Sequence, residues 1–130
     1  MRMVDGDRKN DLGYIFTSID CTGRHVALKR GTFAEKILKK YRELTAELIK
    51  EGIEFAHIVA RDPEDSRRRS YYRIIINPVE GRTDFTNIKV VVEETKDEYD
   101  EIVTAHLVRH LKTEKSEGGI LYDAGFAGKS

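Results

Sequence analysis

Thr104, His106, Arg109 and His110 cluster in an otherwise apolar stretch, NIKVVVEETKDEYDEIVTAHLVRHL, residues 87–111. A hydroxyl, an imidazole and a guanidinium together are what acid–base chemistry on a charged substrate uses. The β-branched run predicts a strand over 88–93, a charged turn at Lys96-Asp97-Glu98 and a second strand over 102–108. Alternation then puts Thr104 and His106 on one face with Ile102 and Val108, and Val103, Ala105 and Leu107 on the other. Arg73 sits mid-strand in Tyr71-Tyr72-Arg73, and a guanidinium holds a phosphate with two parallel hydrogen bonds. Tyr71 and Tyr72 point to opposite faces, so one ring can stack on a base. Lys36 projects from the first turns of a predicted helix. Breaking a phosphodiester without a metal needs a base for the 2′-hydroxyl proton, an acid for the leaving oxygen and cations around the charged transition state. Lys36, Arg73, Thr104 and His106 are the candidate catalytic set, with His106 as acid or base near neutral pH and Thr104 as a donor to phosphate. The plainer reading of Arg73 is a cross-strand ion pair with Glu93 or Glu94.

Other chemistries have less support. The four histidines make no HExxH pattern, and His106 with His110 lacks a third ligand at zinc-site spacing. Gly118-Gly119 follows no strand and opens no helix, so no phosphate loop is expected, and there is no GxSxG elbow. Neither a metal nor another cofactor is expected. Cys21, the single cysteine, sits in the turn Asp20-Cys21-Thr22-Gly23 with no base pattern around it, which fits a turn thiol better than a nucleophile.

The elements that must carry this set are legible in order. Residues 1–12 are a polar lead-in. YIFTSID over 14–20 and HVALK over 25–29 make a hairpin with Gly23 in its turn. Thr32, with Glu35 three residues on, is a capping box. Phe33, Ile37, Tyr41, Leu44 and Leu48 recur at helical spacing, so one helix is predicted over 32–51, stopped by Gly52. IEFAHIVA over 53–60 is either a short helix or a strand. RDPEDSRRR over 61–69 is a charged loop, SYYRIIIN over 70–77 a strand, and PVEGRTDF over 78–85 a turn. Residues 114–130 read as a mobile Gly-rich tail with apolar anchors at Ile120, Leu121, Tyr122 and Phe126. The prediction is one α+β domain over 1–113 plus the tail, with an N-terminal hairpin and helix on a mainly antiparallel sheet of four to five strands.

Composition narrows the partners. At 39% hydrophobic and 35% charged residues, with no run long enough to cross a bilayer, a membrane-spanning chain is not expected. The polar N-terminus lacks a signal-peptide core, so a cytoplasmic location is expected. With 23 basic and 23 acidic residues there is no global field to draw in nucleic acid. Local patches remain: Arg67-Arg68-Arg69, and Lys36, Lys39, Lys40 and Arg42. Each reads plainly as a solvated face.

GRHVALKRGTF, KILKKYREL, RSYYRIIIN, IKVVVEE and EIVTAHLVRHL together resemble the phage-type branch of the barnase/EndoU/colicin/RelE-like (BECR) nuclease superfamily. In that pattern a "GREVVL" strand precedes a helix with "HI…RHPEL", then "RYYR", "VVVE" and "TAY" strands. The likeness spans about residues 23–111, through short and degenerate motifs. It implies an α+β fold and metal-independent RNA cleavage by transesterification, often in a toxin or phage–host setting. Position by position, the first motif histidine falls on Lys36, the second on Tyr41 and the following proline on Arg42. The "RYYR" arginine falls on Arg73, the threonine on Thr104 and the family tyrosine on His106. Both helix histidines are therefore replaced. Lys36 still supplies a cation, and His106 stands in for a lost acid or base. Tyr41, Tyr72, Arg67, Arg68 and Arg69 are the candidate substrate contacts.

Two expectations follow. One is a small endoribonuclease, a toxin or phage effector, acting on RNA, tRNA included. The other is a catalytically silent relative that binds nucleic acid or a protein, such as an inhibitor or antitoxin.

Overall fold

The computed structural model describes residues 13–42, 44–75, 87–108 and 120–123. The predicted lead-in, the 78–85 turn, Arg109, His110 and most of the tail lie outside them. The chain is α+β, built on one mixed sheet.

Strands β1 (Tyr14–Ile19) and β2 (His25–Lys29) form the expected hairpin. Its turn is organised by the Asp20 carboxylate. Oδ1 accepts from Thr22 N at 2.8 Å, Thr22 Oγ1 at 2.7 Å and Arg24 N at 2.9 Å. Gly23 takes φ +94°, a conformation that residues with a Cβ rarely adopt.

The single helix predicted over 32–51 is instead two segments. One helical turn α1 (Arg30–Thr32) runs into a π turn, Phe33–Ile37, with Leu38 N bonded to Phe33 O at 2.9 Å. Thr32 has helical backbone angles and its side chain caps nothing. The working cap is Thr45, extended at φ −108° and ψ 160°, whose hydroxyl accepts from Leu48 N. Thr45 restarts the chain as α2 (Ala46–Glu54), so Ile37, Leu44 and Ile49 all reach the core from two axes rather than one. Gly52 lies inside α2 instead of ending it. A Cβ there would stand 3.1 Å from Val90 Cγ2, so the glycine lets the helix lie close on the sheet.

The 53–60 stretch divides between the end of α2 and β3 (Ile58–Arg61). Strands β4 (Arg68–Ile74), β5 (Asn87–Glu93) and β6 (Asp100–Val108) follow. Within the predicted tail, Ile120–Asp123 form β7, paired antiparallel to β3; the apolar run Ile120-Leu121-Tyr122 is long enough for a short strand. Among the described residues the sheet order is β1-β2-β6-β5-β4-β3-β7, seven strands rather than four or five. All pairs are antiparallel except β2 with β6, which touch in parallel at Val26 and Ala27 against Asp100 and Glu101.

The register fixes two faces. On one, Val59, Tyr71, Val90 and Ala105 form a row flanked by Ile88 with Leu107 and by Val92 with Ile102. These join Ile37, Leu44, Ile49 and Ile53 in the main core, and α2 packs on this face. Ile102 was expected beside Thr104. An extra residue, Val103, opposite the Val91/Val92 step bulges β6 and turns Ile102 to the helix side. The other face carries Ile58, Tyr72, Lys89 and His106 in one row, and Ala60, Ser70, Val91 and Thr104 in the next. Among the described residues, no helix is long and apolar enough to cross a membrane.

Candidate functional site

Thr104 and His106 share the face opposite α2, and neighbours join them there. His106 is paired across the strands with Lys89. The ring of Tyr41, from the turn after the π segment, meets the His106 ring edge-on with centroids 6.0 Å apart. The π turn packs against β6, which brings the following residues to this strand. Burial lowers the His106 pKa below the ordinary histidine range, and the ammonium groups of Lys89 and Lys40 lower it further. The result is an imidazole held towards its neutral form, with Lys89 across the strand pair, the field of Lys40 reaching it, and a tyrosine at its edge. A neutral imidazole can accept a proton, and paired ammoniums attract an anion.

The other predicted site residues are placed differently. Arg73 pairs with Ile88 in the row that includes Leu107, so it lies on the α2 side of the sheet, away from His106. Its guanidinium donates to Phe55 O at 2.9 Å and stacks 5.9 Å from the Phe55 ring centroid. It pairs with neither Glu93 nor Glu94, whose carboxylates serve other arginines. Lys36 is exposed on the π turn. The helix-side cation whose field reaches His106 is Lys40. Tyr72 is 5% exposed and packs with Ile58 and Ala60 under the Lys89 ammonium, so its ring fills a small core instead of offering a stacking surface.

The arginine triplet is tied to carboxylates. Arg67 lies beside Asp65 and Glu93, and Arg68 Nε donates to Glu93 at 3.0 Å. Arg69 is 1% exposed and no surface contact at all. Its Nε donates to Tyr71 Oη at 2.6 Å, and Tyr71 Oη donates in turn to Asp20. Arg69 Nη2 stands 2.8 Å from Asp100 and 3.6 Å from Asp20, as an ion pair without an aligned hydrogen bond. Burial opposes the Asp20 charge, but hydrogen bonds from Tyr71, Thr22 and Arg24 hold its carboxyl below the usual range. Burial drives the Tyr71 hydroxyl far above the usual tyrosine value. Residue spacing gives no sign of this cluster. Asp20, the Arg69–Tyr71 strand and the Glu94–Asp100 connection come from three separate parts of the chain and meet only through the sheet order.

No protein-family model, curated protein or solved structure matches the chain. The functional argument therefore rests on the residues themselves. Burial and the Asp20 carboxylate push the Cys21 thiol up to about 11, which disfavours its thiolate form. His57 accepts from Ile74 N through Nδ1 at 3.2 Å, in a backbone-satisfying role. Among the described residues, no three His, Cys, Asp or Glu side chains are placed to hold a metal.

Proposed function

We propose that this domain binds RNA through the Lys40–Tyr41–Lys89–His106 face. The observation that carries the reading is the cross-strand pairing of His106 with Lys89, with the Tyr41 ring at the imidazole edge and the field of Lys40 reaching it. The two cations would attract a phosphodiester to the imidazole. The sequence likeness to the BECR superfamily over about residues 23–111 points the same way, and within that family's setting an inhibitor or antitoxin protein is the expected counterpart. Fluorescence anisotropy with a labelled single-stranded oligoribonucleotide or tRNA tests the reading. Salt-sensitive binding that weakens in Lys89→Gln supports it; binding indifferent to salt and to Lys89 defeats it.

A second reading, metal-independent cleavage of the bound strand, is favoured by the lowered pKa of His106. A neutral imidazole at pH 7 would take the 2′-hydroxyl proton as the 2′-oxygen bonds to phosphorus. The P–O5′ bond would then break, with the imidazolium or a water returning a proton to the leaving 5′-oxygen, and Lys89 and Lys40 would hold the phosphorane charge in place of Arg73. RNA cut in the presence of EDTA by the wild type, and left whole by His106→Ala, supports cleavage. RNA bound and left intact by both restricts the domain to binding.

A further inference from the structure

Three guanidiniums converge on one carboxylate oxygen at the end of the sheet. Glu94 Oε2 lies 2.9 Å from Arg61 Nη1, 3.2 Å from Arg69 Nη1 and 3.6 Å from Arg24 Nη1. Arg61 Nη1 also donates to Ser66 O at 2.8 Å, and Arg69 Nη2 stands 2.8 Å from Asp100 in poor hydrogen-bond alignment. Even so, one carboxylate oxygen shared by three forked donors gives none of them two parallel bonds. Asp20 and Asp100 are the other carboxylates facing these arginines. With Glu94 removed, three positive charges therefore meet two negative ones. Glu94 follows β5 and is held by its backbone N–H to Arg67 O, so its side chain can turn without moving the strand. It also lines an open depression of about 480 Å³, with Arg67, Glu93, Thr95 and Lys96, and two of those are cations that would receive a displaced carboxylate.

We propose that Arg24, Arg61 and Arg69 form a binding site for a phosphate monoester, which Glu94 occupies as a built-in substitute. The tetrahedral oxyanion presents several acceptor oxygens where the carboxylate presents one, so it matches the three forks better. This site is separate from the His106 face and does not depend on the RNA reading.

Calorimetric titration of the full chain with inorganic phosphate, at ionic strength fixed by sodium chloride, tests this. Glu94→Gln removes the competing charge and keeps the shape. It is expected to bind phosphate about tenfold more tightly than the wild type. Adding Arg24→Ala to that variant is expected to reverse the gain. Equal affinity in Glu94→Gln and wild type overturns the proposal. If Glu94→Gln does not fold, the wild type and Arg24→Ala decide it. Phosphate then raises the urea midpoint of the first more than the second, and an equal response overturns the proposal. Competition against bound phosphate identifies the source. A 5′-phosphorylated oligoribonucleotide that competes where its 5′-hydroxyl counterpart does not assigns the site to a nucleic-acid end. Failure of both assigns it to small phosphate monoesters, and equal competition by both overturns the monoester assignment.

Discussion

Arg73 and His106 project from opposite faces of the same sheet. Arg73 is in register with Ile88 on the helix side, and His106 with Lys89 on the other. A phosphate cannot touch both. Among the described residues, the cations whose fields reach His106 are the ammonium groups of Lys89 and Lys40, which act as point charges and lack the fork of a guanidinium. Lys89→Gln is expected to lower the salt dependence of RNA binding by about 0.7 in log–log slope, one phosphate contact on a single strand. Arg73→Gln is expected to leave that slope alone. Anisotropy titrations across a salt series measure both, and a slope that follows Arg73 instead would refute the placement of the RNA.

Acidification is expected to destabilise the fold from mildly acidic pH. His106 is held below its ordinary value of 6.5 by burial and by Lys89 and Lys40, and His57 is lowered by burial and by Arg73. A depressed pKa means that the unfolded chain takes up protons the folded chain refuses. Stability is complete above 6.5 and is lost as pH falls through the folded values. Urea midpoints should fall between about pH 7 and pH 5, with a shallower fall in His106→Gln. A midpoint that rises on acidification over that window contradicts the assignment.

The buried Arg69 hub predicts unequal costs for similar substitutions. Tyr71→Phe strands Arg69 Nε and takes a donor from Asp20, at a cost of about 1–3 kcal/mol. Arg69→Met leaves Asp20 and Asp100 buried without their cation, at about 3–5 kcal/mol. Arg67→Gln, at an exposed pair, costs about 1 kcal/mol at most. Denaturant unfolding gives the order directly, and Arg67→Gln matching Arg69→Met would show that the hub carries no special weight.

Gly52 predicts a coupling between helix and sheet. Alanine gains about 1 kcal/mol over glycine in a helix, but its Cβ meets Val90, where overpacking costs about 1–3 kcal/mol. Gly52→Ala should therefore destabilise the wild type. In a Val90→Ala background, where the contact is gone, the same change should be neutral or stabilising. Equal effects in the two backgrounds would mean that a Cβ at Gly52 stands farther than 3.1 Å from the Val90 methyl.

Local signals in the sequence carry the strands well, and long-range ones poorly. The hairpin, β5 and the Lys96-Asp97-Glu98 turn follow from β-branched runs and turn residues. The helix break at Thr45 is present as a capping residue, but it is hidden inside an unbroken apolar period. The bulge at Val103 leaves no mark in a run of alternating residues, yet it decides the face of Ile102. Alternation does put Thr104 and His106 together. It cannot relate a residue of β4 to one of β6, because that depends on strand order and register, and so Arg73 was grouped with them. Lys40 and Lys89 look like ordinary surface lysines until the fold sets both near His106.

What the His106 face binds decides the function of this domain. The most direct measurement is an anisotropy titration of single-stranded RNA, with EDTA present, against the wild type and the Lys40→Gln/Lys89→Gln double variant. Salt-dependent binding by the wild type is expected, with an affinity at least about tenfold lower in the variant. A variant that folds as the wild type does and binds RNA equally well would rule out this face as the RNA site.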